Sequence, residues 1–177
     1  MNIQKDFFMA LSAKICRVQA RFVVSLVILL AADCGLADNW PAWRGPDGTG
    51  VSRETGLPVS WSEEQGQGIV WKTQIPEWGN STPVIWNDAI FITTQAEDRL
   101  LVLRLDKTTG RIVWTRQVGA ADTPREAPRG QQKFHNLNNN ASPSVVTDGE
   151  HVVAHFGNGD LAVFNFDGEL LWKRNLQ

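Results

Sequence analysis

The fold that this 177-residue sequence predicts is all-β: a partial β-propeller of two four-stranded antiparallel blades behind an N-terminal signal peptide. One observation is a phrase of glycine, apolar residues and tryptophan that occurs three times, as "GIVWKTQI", "GRIVWTRQV" and "GELLWKRNL". The tryptophans of the phrase are Trp71, Trp114 and Trp172, and successive ones are 43 and 58 residues apart. The other is a period-two alternation of apolar residues, which is typical of strands. Because a propeller blade takes about 40 to 50 residues, the first step is one blade and the second is one blade plus an insertion, so the phrase marks the ends of successive blades.

Residues 1–37 are predicted to be a cleaved signal peptide. Basic residues precede the apolar run "FVVSLVILLAA", and Gly35, Leu36 and Ala37 supply the small residues of a cleavage site. The run is shorter than the roughly 20 residues of a membrane-spanning helix, and a buried core helix fits these flanks poorly. We therefore expect a periplasmic or secreted protein without a transmembrane span after cleavage. Translation from Met9 instead of Met1 would leave a more ordinary signal.

Both cysteines, Cys16 and Cys34, lie within the predicted signal peptide. Cleavage after Ala37 removes both, so we expect no disulfide in the mature chain. A lipoprotein anchor would use Cys34, but Asp33 stands before it where a small residue is required. Lipid anchoring at Cys34 is therefore not expected.

The composition is that of a globular protein, with 42% hydrophobic and 20% charged residues. From Asp38 onward acidic residues outnumber basic ones, and no basic stripe is present. Nucleic-acid binding is therefore not expected.

Residues 38–67 are predicted to form an irregular N-terminal arm rich in tryptophan, glycine and proline. We expect Trp40, Trp43 and Trp61 to anchor this arm to the body. The cluster "GPDGTG" resembles a phosphate-binding loop only superficially, because it neither follows an apolar strand nor opens a helix.

The first blade is predicted at residues 80–118, after a blade-closing strand at 68–75 that belongs to a preceding blade. Turn signals at Asn87-Asp88, Glu97-Asp98 and "DKTTG" separate four short strands, "TPVIW", "AIFITT", "LLVLRL" and "RIVWTRQV". Strands this close in sequence, joined by short turns, form an antiparallel meander.

The second blade is predicted at residues 140–177, after an inter-blade insertion at 119–139. Its strands are "SPSVV", "HVVAHF", "LAVFNF" and "ELLWKR", and "NASPSVVTD" matches "NSTPVIWND" of the first blade. The intervening Asp148-Gly149 and Asp167-Gly168 favour tight hairpins because both residue types accept positive φ.

The segment "LDKTTGRIVW" resembles the Asp-x-x-x-Gly-x-x-x-Trp signature of pyrroloquinoline-quinone-like (PQQ-like) propeller repeats. These repeats occur in quinoprotein alcohol dehydrogenases and BamB-like proteins, and the chain also resembles secreted, planctomycete-type members of the class. The resemblance assigns the blade-docking motif to Asp106, Gly110 and Trp114, with Trp71 closing the preceding blade. It implies that each tryptophan lies flat against the neighbouring blade. The second blade keeps Asp167, Gly168 and Trp172 in a contracted turn, and Arg104 stands where the motif prefers alanine.

Two functions are compatible with this resemblance. The first is a non-catalytic exported module that acts as a binding or assembly scaffold, without a cofactor, for a protein or polysaccharide partner. The alternative is a fragment of a PQQ-dependent oxidoreductase, and only there would PQQ be expected. Quinoprotein dehydrogenases hold PQQ with a vicinal disulfide, a stacking tryptophan and a calcium ligand set; a mature chain without cysteine lacks the first, and no calcium-binding pattern of carboxylates is evident. We therefore expect no catalytic, cofactor or metal site.

The histidines do not form a metal site in this interpretation. His151 and His155 lie on one face of a strand but about 13 Å apart, too far to share an ion. His135 lies in the insertion near three basic residues. Because such connections line one face of a propeller, we retain a ligand or partner loop as a hypothesis, with a solvated loop as the alternative; it comprises Arg125, Arg129, Lys133 and His135.

Two blades do not close a propeller, which commonly has about four to eight. We therefore expect the sequence to be an N-terminal fragment of a longer propeller, or else a chain that completes its ring by oligomerising. In either case the open blade edges favour self-association.

Overall fold

Two four-stranded antiparallel sheets follow each other along the chain, each a meander in the order of the sequence. The structure, a computed structural model, describes residues 39–122 and 135–176. The predicted signal peptide and most of the inter-blade insertion lie outside these residues. In the described part of the chain, no helix is long and apolar enough to cross a membrane. The strands are β1 Val84–Trp86, β2 Ala89–Ala96, β3 Arg99–Asp106 and β4 Ile112–Ala120 in the first blade, and β5 Val146–Thr147, β6 His151–His155, β7 Asp160–Asn165 and β8 Leu170–Asn175 in the second.

Strand β3 is apolar on both faces because both faces are buried. Leu100 and Val102 point towards the second blade and belong to a core that the two blades share. Leu101 and Leu103 point the other way, into a smaller cluster that Ile75 covers. This double burial explains the nearly unbroken apolar run "LLVLRL" in place of a strict alternation.

The larger core lies between the two blades. Its buried aromatic side chains pack across the junction: Phe91 meets Phe166 edge-on at 5.0 Å between ring centroids, and Trp114 lies 6.1 Å from Phe164. Such contacts contribute beyond the apolar area they bury. The core comprises Val84, Ala89, Phe91, Leu100, Val102, Trp114 and Val118 of the first blade, and Ala141, Val145, Val152, Ala154, Phe156, Ala162 and Phe164 of the second.

Residues 68–75, predicted as a blade-closing strand, are hydrogen-bonded into neither sheet. A strand requires a partner edge for its backbone groups, and none of the described residues supplies one here. The segment is held instead by its side chains, which contact the turn between β3 and β4.

The N-terminal arm crosses the inner edges of both blades. Trp40 pairs with Ile85 of β1 in an antiparallel bridge, and the carbonyl of Pro41 accepts a hydrogen bond from Thr147 of β5. Anchoring to the body by the tryptophan side chain is not shown for Trp40, because its bridge to β1 uses the backbone and its ring lies on Gly45 of the arm itself. The expected anchoring is wrong for the two others, because Trp43 is 62% and Trp61 72% exposed. The bridge to β1 holds the arm through its backbone, so these indoles are not needed for its attachment.

Candidate functional site

The contact between the two blades centres on Trp114. This side chain is 8% exposed, and its Nε1 donates a hydrogen bond of 2.9 Å to the carbonyl of Phe166. Its ring lies against Gly168 so closely that a Cβ there would be 2.9 Å from the indole. The end of the first blade is thus docked on the β7–β8 turn of the second.

Trp71 makes the equivalent contact one blade earlier. Its Nε1 donates a 2.8 Å hydrogen bond to the carbonyl of Lys107, and its ring occupies the space that a side chain at Gly110 would need. Trp71 and Trp114 therefore make the same kind of contact. In each, the indole covers a turn glycine and donates a hydrogen bond to the carbonyl of the residue two or three positions before that glycine.

The residue two positions after each docked tryptophan completes the contact. Thr73 donates through Oγ1 to the carbonyl of Gly110 at 2.6 Å, and Arg116 donates through Nε to the carbonyl of Gly168 at 2.7 Å. Arg104, which replaces the alanine of the motif, donates through Nη1 to the Phe166 carbonyl at 3.0 Å. Arg104 and Arg116 of the first blade thus both hold the turn of the second.

The acidic residues of the two turns have different roles. The Oδ1 of Asp106 accepts hydrogen bonds from the backbone and the hydroxyl of Thr109, both at 2.7 Å, and these bonds lower the pKa of Asp106. In the contracted second turn the carboxylate of Asp167 accepts no such bonds from the described residues. Asn165 takes that role, since its Oδ1 accepts from the amides of Asp167 and Glu169. Sequence reasoning missed Asn165 because the motif spacing pointed to Asp167.

Trp172 is placed like the two docked tryptophans but has no turn to cover among the described residues. It is opposite Val163 in the β7–β8 register, on the face of the second blade that points away from the first, and is 46% exposed. Arg174, two residues later, pairs with Leu161 on the same face. We call the surface formed by Trp172 and Arg174 the open docking face.

A cavity of about 410 Å³ opens where the two blades meet the N-terminal arm. The exposed indole of Trp43 forms part of its wall, and the remaining walls come from the starts of both blades. It lies beside the end of the inter-blade insertion, the segment in which a ligand loop was predicted. Its lining residues are Trp43, Asn80, Asn138, Ser142, Pro143, Ser144 and Val146.

Only one residue of the predicted ligand loop is described. His135 is exposed, and its Nδ1 accepts a 3.3 Å hydrogen bond from the amide of Leu137. Arg125, Arg129 and Lys133 lie outside the described residues. The residue of the insertion that lines the cavity is Asn138, which sequence reasoning did not single out because asparagine is common in turns.

His151 forms a local pair with Asp148. Its Nδ1 lies 3.0 Å from the carboxylate, and this hydrogen bond raises the pKa of His151. The carboxylate of Asp148 also accepts hydrogen bonds from the backbone amides of His151 and Glu150. These bonds, of which that from the His151 amide has the largest effect, hold the pKa of Asp148 far below its ordinary value. Among the residues that the structure describes, no group of three or more His, Cys, Asp or Glu side chains is arranged to hold a metal ion.

Comparison with known proteins gives one family. The family described as "Outer membrane protein assembly factor BamB" matches residues 44–177. Among solved structures, BamB from Moraxella catarrhalis is similar at 25% identity with a TM-score of 0.39, over 61% of this chain and 31% of that one. The chain thus spans about a third of the Moraxella protein. No curated protein matches the chain. Since the family match covers most of the sequence, and the structure contains two docked four-stranded blades, the chain belongs to the BamB-like family of PQQ-like repeat proteins and has a partial β-propeller fold.

Proposed function

We propose that this protein is a non-catalytic, exported scaffold that binds a further propeller repeat through its open docking face. The observation that carries the proposal is the repeated contact geometry. Two of the three tryptophans of the repeated phrase cover a turn glycine, whereas Trp172 presents the same indole to solvent.

The internal contact specifies the partner's chemistry. At the Trp114 contact, the second blade offers a turn with a glycine that the indole covers and carbonyls that accept from the indole and from Arg116. Trp172 and Arg174 have the same spacing as Trp114 and Arg116. The complementary surface is therefore a glycine turn of the same repeat class, in the same polypeptide or in another one.

The family description supports an assembly role over catalysis, because the proteins it names are assembly factors. A periplasmic location agrees with this role and with the predicted signal peptide.

The test is photo-crosslinking in the exporting cell. A photo-reactive amino acid replaces Trp172 in the full chain, and crosslinked peptides are identified by mass spectrometry. We expect them to come from a glycine turn of a PQQ-like repeat. The same replacement at Trp61, an exposed tryptophan of the arm, is the matched control and should not capture such turns. Crosslinks from position 172 that spread over unrelated sequences, as at position 61, would contradict the proposal.

A further inference from the structure

The cavity beside Trp43 carries a fixed set of hydrogen-bonding groups. Asn80 donates through Nδ2 to the carbonyl of Leu137 and, at 3.0 Å, to Oδ1 of Asn138. These bonds orient both side-chain amides. The Oδ1 of Asn80 remains as an acceptor and the Nδ2 of Asn138 as a donor, with no hydrogen bond from either atom to the described residues.

Two hydroxyls add to this set. The Oγ of Ser144 accepts a 2.9 Å hydrogen bond from the amide of Thr82, and the Oγ of Ser142 accepts one of 3.1 Å from the amide of Asn139. Each oxygen is thus held in place while its proton stays available for donation. The cavity therefore presents donors and acceptors together, and none of its lining residues is charged.

The indole of Trp43, which forms the aromatic part of the cavity wall, is partly accessible. The guanidinium of Arg44 lies 4.8 Å from the centroid of the Trp43 ring and covers one face of it. Trp43 is nevertheless 62% exposed, so part of its indole surface is accessible to a ligand. A flat, uncharged π-surface favours contact with C–H groups.

This chemistry selects among ligand classes. An added peptide strand needs a free backbone edge, but at this place the arm already bonds β1 and β5. An anion needs several donors or positive charge, whereas the lining residues mix donors with an acceptor and are uncharged, and the guanidinium of Arg44 lies on the Trp43 ring and is not among them. A sugar ring has C–H groups on its face and, around its rim, hydroxyls that both donate and accept. The volume falls within the roughly 300 to 1,000 Å³ of small-molecule sites.

We propose that this cavity is a binding site for a neutral saccharide, with one sugar ring stacked on Trp43 and its hydroxyls bonded to Asn80, Asn138 and Ser144. The site is separate from the open docking face, and it uses none of the residues on which the scaffold proposal rests. The two proposals are therefore tested independently.

The experiment is a titration of the full mature chain with neutral trisaccharides, maltotriose and cellotriose, followed by NMR at the indole N–H of Trp43. We expect a saturable shift of this signal with at least one of the two sugars. Trp43→Ala should weaken binding at least about tenfold, measured by calorimetry, because it removes the stacking surface. Asn138→Asp keeps the acceptor for Asn80 but removes the free donor, and we expect a similar loss.

Trp61→Ala is the matched control, since Trp61 is also a largely exposed tryptophan of the arm but does not line the cavity. Its affinity should equal that of the parent. No saturable shift with either trisaccharide would overturn the proposal, as would equal losses in the Trp43 and Trp61 variants. Tighter binding of an acidic trisaccharide that disappears in Arg44→Ala would also overturn it, because the site would then select anions.

Discussion

At the scale of single residues, tryptophan and glycine act as a pair throughout this chain. Among the residues that the structure describes, four indoles lie where a turn glycine has no side chain: Trp40 on Gly45, Trp71 on Gly110, Trp86 on Gly149 and Trp114 on Gly168. An indole supplies a large apolar surface and one N–H donor, so it can cover a turn and satisfy a carbonyl at once. Glycine is required opposite because any Cβ would occupy the space of the ring.

Trp114 and Trp172 form a matched pair for measuring this contact. Trp114→Ala should lower the free energy of unfolding by about 3 to 5 kcal/mol, since it empties a buried aromatic site and removes a hydrogen bond. Trp172→Ala should cost no more than about 1 kcal/mol in the isolated chain, because no described turn covers this residue. Urea denaturation gives both values, and equal costs would contradict the docking assignment.

Gly110→Ala separates steric exclusion from backbone strain. Gly110 has φ +71°, and Gly48 has φ +67° with no atom within 4 Å of the position that a Cβ would take. Both substitutions therefore strain the backbone, but only that at Gly110 displaces the ring of Trp71. We expect Gly110→Ala to cost about 1 to 3 kcal/mol more than Gly48→Ala. Thermal unfolding of the two variants checks this difference, and equal melting temperatures would refute it.

The Asp148–His151 pair makes the β5–β6 turn sensitive to pH. Because the pKa of His151 is raised in the folded chain, protonated His151 stabilises the turn fully at pH values below its ordinary pKa of 6.5. This contribution is lost as the pH rises through the raised pKa. Because the pKa of Asp148 is lowered in the folded chain, ionised Asp148 stabilises the turn fully at pH values above its ordinary pKa of 3.8. That contribution is lost as the pH falls through the lowered pKa. The pair thus contributes fully between about pH 4 and 6.5.

Asp148→Asn should lower the pKa of His151 in an NMR titration, because it removes the charge while keeping one acceptor for the backbone amides. Asp88→Asn, at the matching position of the first blade, should leave the His151 titration unchanged. An identical His151 titration curve in parent and Asp148→Asn would show that the carboxylate does not hold the imidazole.

At the scale of elements, the strands differ in how their backbones are held. Strand β2 is paired on both sides, with β1 and with β3. Residues 68–75 have no strand neighbour among the described residues and depend on the side chains of Trp71 and Thr73. Side-chain contacts fix the position of a segment without protecting its amides.

Amide hydrogen exchange should therefore be fast at residues 69–75 and slow at residues 89–94, in a sample shown to be monomeric. Mass spectrometry of peptic fragments measures both ranges in one experiment. Equal protection of the two ranges would mean that residues 69–75 pair with a strand outside the described residues, and the interpretation of the segment would then change.

At the scale of the whole molecule, the two blades share one core. Buried side chains of both sheets form a single cluster, and the N-terminal arm makes backbone hydrogen bonds to β1 and to β5. Neither blade can unfold without exposing the aromatic contacts Phe91–Phe166 and Trp114–Phe164. We therefore expect the blades to unfold as one cooperative unit rather than as two independent repeats.

Chemical denaturation should therefore show one transition for both blades. Hydrogen exchange near Val102 and near Val152 should report the same free energy of global unfolding, and Val152→Ala should lower both by the same amount. A loss confined to the second blade would show that the blades unfold separately.

The sequence predicted the strands because their signals are local. Period-two alternation and Asp-Gly or Asn-Asp turns placed all eight strands, each within a few residues of its observed bounds. The resemblance to PQQ-like repeats, which the Gly-apolar-Trp phrase carries, implied docking for Trp114 and Trp71, and each indole covers a turn glycine of the following blade. It also assigned docking to Trp172, whose environment depends on a neighbouring unit, and here that side chain is exposed.

What the sequence determined by itself was the repeat and its strands, since both follow from local spacing, whereas the docking role of the tryptophans came from the resemblance to PQQ-like repeats. Only the tertiary structure decided that Asn165 shapes the contracted turn, that the arm bonds to β1 and β5, and that Trp43 faces a cavity with Asn80 and Asn138. The physical reason is that these contacts join residues whose individual preferences are weak. An exposed tryptophan and two turn asparagines acquire a common role only when the packing of two blades and an arm brings them together.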